Sequence, residues 1–308
     1  MRHNINNIRN IDSRLIAFEK DKRQLPGISS SKARECFIKQ VIDSTQRIKY
    51  VSTILNQNTS ANCLNPSLNG FNPIKAAAWY RKSGNFEEAF WMVFLLTHFG
   101  RNSVTKWRLV NDIYSGLSSQ ITWNWISTKQ NLQAFKSWLN QNITTLKKNG
   151  SFGNHRKYQS LDAYSKNGTG ETFESYINWI NTYGSHQSLV NSVKNKIGND
   201  PKSLFHFLFK DMSSVIGFGR TGKFDYLTMV GKLGLIEIEP DLTYMGNSTG
   251  PVSGARELFG NQNLKPSTLE SWLSELEQYL NLHFGMQVLE DAICNWQKNT
   301  EKYIYFGG

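Results

Sequence analysis

Cysteine is scarce in this chain. Cys36, Cys63 and Cys294 are the whole set in 308 residues, odd in number and far apart. They make neither a disulfide framework nor a CxxC metal or cluster signature. The six histidines include no HExxH and no Cys-His zinc spacing. No metal, no iron–sulfur cluster and no other cofactor is therefore expected; a carboxylate-bound Mg²⁺ lies outside that argument. Long apolar runs are also missing. The longest, Ala89 to Leu96, falls well short of the roughly 20 residues a membrane-spanning helix needs. The opening stretch MRHNINNIRNIDSRL has no apolar signal core, so a cytoplasmic protein is expected. Acidic residues are in deficit: 24 Asp and Glu face 35 Lys and Arg, a formal charge of +11. That excess favours a polyanionic partner, nucleic acid or an anionic membrane surface.

What is present is mostly helical periodicity, and the expected class is mainly α. Ile38, Val41, Ile42, Ile48, Val51 and Leu55 mark one amphipathic helix from about Ser31 to Asn56. Asn85 is placed to cap a second helix with Glu88 in the reciprocal position, and that helix carries the apolar run to a stop near Gly100. Asp200 and Pro201 start a third, through Leu204, Phe205, Leu208 and Phe209. Ser267 and Glu270 read as a capping box ahead of Trp272, Leu273, Leu276 and Leu280. A last helix is expected from about Met286 to Lys302. Leu235 to Ile238 resembles a strand, and the polar segments Asn56 to Asn72 and Asn140 to Gly150 read as connecting loops. Residues 1–30 read as an extension, and 31–308 as one helical domain that two lobes and a cleft would divide.

Four clusters carry candidate chemistry. In Ile216 to Leu227, IGFGRTGKFDYL, Gly217 and Gly219 flank Phe218 in a GxG turn that lets backbone amides approach an anion. Arg220, Thr221 and Lys223 then open a helix whose amino end favours negative charge. An unliganded helix–helix turn has the same composition. In FGNHRKYQSL, Phe152 to Leu161, the consecutive Asn154, His155, Arg156, Lys157 and Tyr158 offer an amide, an imidazole, two cations and a stacking ring; a basic surface turn would look alike. Tyr244 to Gly260, with Ser248, Thr249 and Arg256, reads either as a loop around an extruded nucleotide or as a plain connection. Of the nine Trp, most belong in the core, with one or two left for stacking.

ECFIKQVIDSTQRIKY (Glu35 to Tyr50), FGNHRKYQSL, GFGRTGKFDYL, STGPVSGAREL and EDAICNWQK (Glu290 to Lys298), in this order, resemble the alpha-glutamyl/putrescinyl thymine pyrophosphorylase family over about Ser31 to Lys302. That family is regarded as related to helix-hairpin-helix DNA glycosylases and includes an anti-phage glycosylase that removes glucosylated hydroxymethylcytosine from phage DNA. The resemblance implies a helical glycosylase-like fold with a helix-hairpin-helix element. Hairpin glycosylases carry a catalytic Asp downstream of the last hairpin Gly; here Asp241 lies 22 positions after Gly219. Asp225 is the competing carboxylate. Thr221 stands where bifunctional relatives carry a Schiff-base Lys, and Lys223 is half a turn further on, which implies hydrolysis rather than lyase chemistry.

The expected function is accordingly a monofunctional glycosylase. Cations grip the phosphates of double-stranded phage DNA, a modified pyrimidine is rotated out, and Asp241 directs water at C1′. Asn154 and His155 would contact the base, Tyr158 and Asp225 would line its pocket, and Arg156 and Lys157 would hold flanking phosphates. No obligate protein partner is expected. Two alternatives stay open: an enzyme of thymine hypermodification that releases pyrophosphate and leaves the glycosidic bond intact, and a non-catalytic reader of modified DNA.

Overall fold

The computed structural model describes residues 3–57, 60–66, 71–246 and 248–306. Among them the regular structure is helical, with two isolated bridges, Asn102 to Lys106 and Ser160 to Gly168, and no strand. The fourteen α-helices are α1 Ile5–Asp21, α2 Ser31–Asn56, α3 Pro73–Lys82, α4 Phe86–Phe99, α5 Arg108–Tyr114, α6 Trp125–Gln130, α7 Leu132–Asn149, α8 Thr169–Asn181, α9 His186–Ile197, α10 Pro201–Asp211, α11 Arg220–Lys232, α12 Thr249–Leu258, α13 Pro266–Leu280 and α14 Gly285–Trp296. The chain forms two compact units, Met1–Tyr50 with Pro240–Gly308, and Val51–Glu239.

The first unit is built on helical stripes. Ile11, Leu15 and Phe18 of α1, Phe37 and Val41 of α2, Leu269, Leu273, Leu276 and Leu280 of α13, and Leu289, Ile293 and Trp296 of α14 are all buried in one apolar cluster. The segment before Ser31 thus contributes α1 to this core. Gly254 lets α12 approach α14 closely, because a Cβ there would stand 2.3 Å from the Ile293 carbonyl oxygen. Arg34 closes the rim with ion pairs to Asp12 and Glu19, at 2.5 and 2.8 Å.

The second unit is organised around α4. Every residue from Glu88 to Phe99 is buried, as expected for a helix apolar on all sides. The Phe94 ring lies between Tyr176 of α8, at 4.0 Å between centroids, and Phe218, at 5.5 Å. Trp91, Phe173 and Trp125 extend this aromatic lattice. Five of the nine Trp, at 91, 123, 125, 179 and 296, are buried.

Several expectations need correction. Leu235 to Ile238 is an irregular segment whose Leu235, Ile236 and Ile238 are buried; β-branched side chains serve a core without a sheet partner. Asn140 to Asn149 is the second half of α7, with Gly150 its C-cap residue, because Phe135, Leu139 and Leu146 bury at helical spacing despite the polar residues between them. Asn56 to Asn72 contains a 3₁₀ turn, Ala61–Leu64, and residues 58–59 and 67–70 of that stretch lie outside the described residues. Neither capping box closes. Asn85 does accept the Glu88 N–H, but the Glu88 carboxylate bonds the Tyr114 hydroxyl and the Trp125 N–H instead. Glu270 accepts the N–H groups of Thr243 and Met245, and α13 begins at Pro266 without a side-chain cap. The last helix stops at Trp296.

Candidate functional site

The run FGNHRKYQSL is positioned by glycine packing. At the end of α4, Gly100 takes φ +66°, and Gly153 lies so close that a Cβ on it would stand 2.8 Å from the Gly100 carbonyl carbon. The Gly153 N–H donates to the Phe99 oxygen at 2.8 Å. This abutment delivers a 3₁₀ turn, Asn154–Arg156, which sends Arg156 inward and leaves Asn154, His155, Lys157 and Tyr158 exposed.

The GxG turn enters from the other side. After α10 and the 3₁₀ turn Met212–Ser214, Gly217 takes φ +77° and Gly219 is the N-cap residue of α11 with φ −65°. The two glycines therefore do different work. Gly217 needs its left-handed backbone, and a Cβ there would stand 2.9 Å from both Gln159 Oε1 and Thr172 Oγ1. Gly219 faces open space, and the α11 amides have no side-chain cap. Phe218, between them, is a core residue, 3 % exposed.

Arg156 joins the two segments. Its guanidinium is buried, lies 5.3 Å over the Phe218 ring and reaches 3.6 Å from Asp225 Oδ2 on α11. Gly222 makes room for it, since a Cβ there would meet Nη1 at 2.7 Å. His155 Nδ1 is 3.9 Å from the same carboxylate oxygen, an ion-pair distance rather than a hydrogen bond. Burial pushes the Asp225 carboxyl upward, but His155 and the Arg156 charge outweigh it and hold the group below the ordinary carboxylate value. Asp225 is thus an ionised carboxylate backed by a buried cation, with an exposed imidazole beside it.

The other sequence candidates make contacts of their own. Lys223 turns back to donate to Ser213 Oγ at 2.9 Å and lies 4.4 Å over the Phe209 ring; burial lowers its pKa. Arg220 lies 5.6 Å over the Phe224 ring, and Thr221 sits in the first turn of α11. Lys157 Nζ lies 5.0 Å over the Tyr158 ring. Asp241 belongs to the first unit, where it accepts the Tyr244 hydroxyl. The Tyr244 to Gly260 stretch is largely helical, a correction to the wrapping-loop reading: Ser248 is the N-cap residue of α12, Thr249 its first residue, and Arg256 gives Nε and Nη2 to the Leu264 carbonyl at 3.1 Å each. Asn247 in this stretch lies outside the described residues. His155, Arg156 and Asp225 are the candidates brought into one group. Phe218, Gly222 and Gln159 complete it; Gln159 Nε2 points at the Gly217 carbonyl at 3.4 Å. Reading the sequence for polar chemistry passes over a phenylalanine and a helical glycine.

No group of three or more His, Cys, Asp or Glu suited to a metal occurs among the described residues. No helix among them is long and apolar enough to cross a membrane.

The class these features define is an all-helical protein with a carboxylate–imidazole–guanidinium group beside a glycine turn. Residues 32–308 match the family model for alpha-glutamyl/putrescinyl thymine pyrophosphorylase clade 3. The chain belongs to that family, whose name denotes an enzyme. No curated protein and no solved structure matches the chain.

Proposed function

We propose that this protein is an enzyme of thymine hypermodification that acts on a pyrophosphorylated hydroxymethyl pyrimidine in DNA, releasing pyrophosphate and leaving the glycosidic bond intact. The observation that carries this reading is the family match, which spans residues 32–308. The family name pairs glutamyl and putrescinyl groups with thymine, and both groups derive from primary amines. The matching step is displacement. An amine nitrogen bonds to the exocyclic methylene carbon of the base, the bond from that carbon to the pyrophosphate oxygen breaks, and the amine loses one proton.

His155 is suited to take that proton, with Asp225 stabilising the imidazolium that forms and Arg156 holding the carboxylate in place. The uncapped amides of α11 and Arg220 suit the departing anion. The formal charge of +11 supports a DNA strand as the carrier of the base, and the base must leave the stack to be reached.

Hydrolytic excision is the second reading, favoured by Gly217 in a left-handed turn before α11 and by Asp241 after Pro240. On that reading the turn is a helix-hairpin-helix element, Asp241 directs water at C1′, and a glucosylated hydroxymethyl pyrimidine is the base removed. DNA carrying pyrophosphorylated hydroxymethyl pyrimidine, with a primary amine supplied, separates the two: pyrophosphate without abasic sites supports displacement, and abasic sites support excision.

A further inference from the structure

The second unit contains a pocket of about 540 Å³ lined by Asn102, by Leu109 at the start of α5, by Lys147 near the end of α7, and by residues 150–152, 157 and 159–161. Its size suits a small-molecule or mononucleotide ligand. Its floor is apolar: Leu109 and Leu161 are buried and Phe152 is half-buried. Gly150 packs this floor, because a Cβ there would stand 3.1 Å from Leu109 Cγ. The wall is fastened by the Asn102 amide donating to the Phe152 carbonyl at 3.0 Å and by the Ser151 N–H donating to Thr105 Oγ1 at 3.3 Å.

The charge on this lining is of one sign. Lys147, in the last turn of α7, and Lys157 are its ionised residues, and no Asp or Glu lines it. Two acids flank the lining in sequence, and the N–H groups of Tyr164 and Ser165, helped by the Lys147 charge, hold the carboxyl of one of them, Asp162, low. Asp112 pairs with Arg108 Nε at 2.8 Å and accepts the Asn149 amide at 2.8 Å. Asp162 accepts the N–H groups of Tyr164 and Ser165 at 2.8 and 2.6 Å. A lining that combines apolar side chains with two cations and the Ser151 and Ser160 side chains matches a ligand with a flat or sugar-like body and an anionic end.

We propose that this pocket is a nucleoside-phosphate subsite, separate from the His155–Asp225 pair, in which Lys147 and Lys157 take the phosphate and Leu109, Phe152 and Leu161 receive the nucleoside. Gln159 lines the pocket and points at the Gly217 carbonyl, so an occupant there sits one residue away from the glycine turn. The same chemistry is supplied by a nucleotide of the bound DNA strand or by a free mononucleotide. The strand source rests on the DNA reading above; the nucleotide chemistry of the pocket does not.

The test uses the full chain and four unmodified probes: a single-stranded oligothymidine, its duplex, thymidine monophosphate and inorganic phosphate. Binding is measured across salt for the wild type, for Lys147→Ala/Lys157→Ala, and for Lys194→Ala/Lys196→Ala on α9 as a charge-matched control, with thermal melts to verify folding. The pocket variant is expected to lose about tenfold or more in strand affinity and to lower the magnitude of its salt slope by about 0.7 to 1.4, the contribution of one or two phosphates. The control is expected to keep the wild-type slope. Competition by thymidine monophosphate, lost in the pocket variant while strand binding is unchanged, would assign the pocket to free nucleotides and sustain the proposal. A folded pocket variant that binds every probe like the wild type would overturn it, as would an equal loss in the control or equal competition by inorganic phosphate. Because none of these probes reacts, a failure of pyrophosphate release leaves this result standing, and the converse also holds.

Discussion

Arg156 Nη2 lies 3.6 Å from Asp225 Oδ2, and the guanidinium that makes this contact is 5 % exposed and rests against Gly222. A cation so deeply placed holds a carboxylate that remains about one-third exposed; on the proposed reading Arg156 is the positioning residue and Asp225 the group that faces substrate.

Gly222→Ala tests that relationship without removing a charge. The new Cβ would collide with the end of a flexible side chain at 2.7 Å, so the guanidinium shifts, while alanine gains up to about 1 kcal/mol of helix propensity over glycine. The expected outcome is a melting temperature within a few degrees of wild type and activity reduced at least tenfold, with the pH profile displaced. Full activity would show that Asp225 does not depend on Arg156.

The two glycines of the turn should respond unequally. Gly217→Ala forces a side chain into φ +77° and against Gln159 and Thr172, a cost of about 1 to 2 kcal/mol from the backbone alone. Gly219→Ala meets no atom within 4 Å and has φ −65°, so a stability change within about 0.5 kcal/mol is expected. Denaturant midpoints decide this, and equal losses would reject the assignment of distinct roles.

A hydrogen-bonded relay reaches α11 at the residue next to Asp225. His186 Nδ1 is 2.7 Å from Glu87 Oε2, its Nε2 is 2.8 Å from the Tyr176 hydroxyl, and that hydroxyl is 2.9 Å from the hydroxyl of Tyr226, the neighbour of Asp225 on α11. Tyr176→Phe strands groups on both sides, whereas Tyr226→Phe trims the end. The first should cost about 2 kcal/mol and the second about 1. Equal costs in chemical unfolding would contradict a continuous relay.

Two buried groups should give stability opposite dependences on pH. Burial, reinforced by the Arg156 charge, holds His98 down at about 3. Between 6.5 and that value the unfolded chain binds a proton that the folded chain refuses, so this contribution weakens as pH falls. His98→Gln should remove up to about 1.4 kcal/mol per pH unit of that slope. Burial pushes Glu88 up to about 7 against the hydrogen bonds from Trp125 and Tyr114. Its contribution is complete below 4.5 and weakens as pH rises through 7. Glu88→Gln should therefore gain stability relative to wild type at pH 8 compared with pH 5. Parallel curves for wild type and either variant would refute the respective assignment.

The helices were legible where spacing and capping agreed: Ser31–Asn56 and the buried α4 follow from the apolar pattern, and Asp200 caps α10 as its position before Pro201 suggests, accepting the Ser203 N–H at 2.7 Å. The Asn-rich half of α7 and the small-residue stretch of α12 have the local composition of loops, and burial against distant helices makes them helical. The candidate site was half legible. The sequence marked His155, Arg156 and Asp225 individually, but not their grouping, which depends on the Gly100–Gly153 abutment and on Gly222. Such contacts join positions far apart in the chain and leave no periodic trace.

The central claim is that the base keeps its glycosidic bond. Purified protein, DNA carrying pyrophosphorylated hydroxymethyl pyrimidine and a primary amine would be combined, with pyrophosphate and abasic sites counted in the same reaction for wild type, Asp225→Asn and Asp241→Asn. Pyrophosphate release matched by amine incorporation, without abasic sites and lost in Asp225→Asn but kept in Asp241→Asn, is the predicted result. Abasic sites that disappear in Asp241→Asn, with no pyrophosphate released, would contradict it and establish excision.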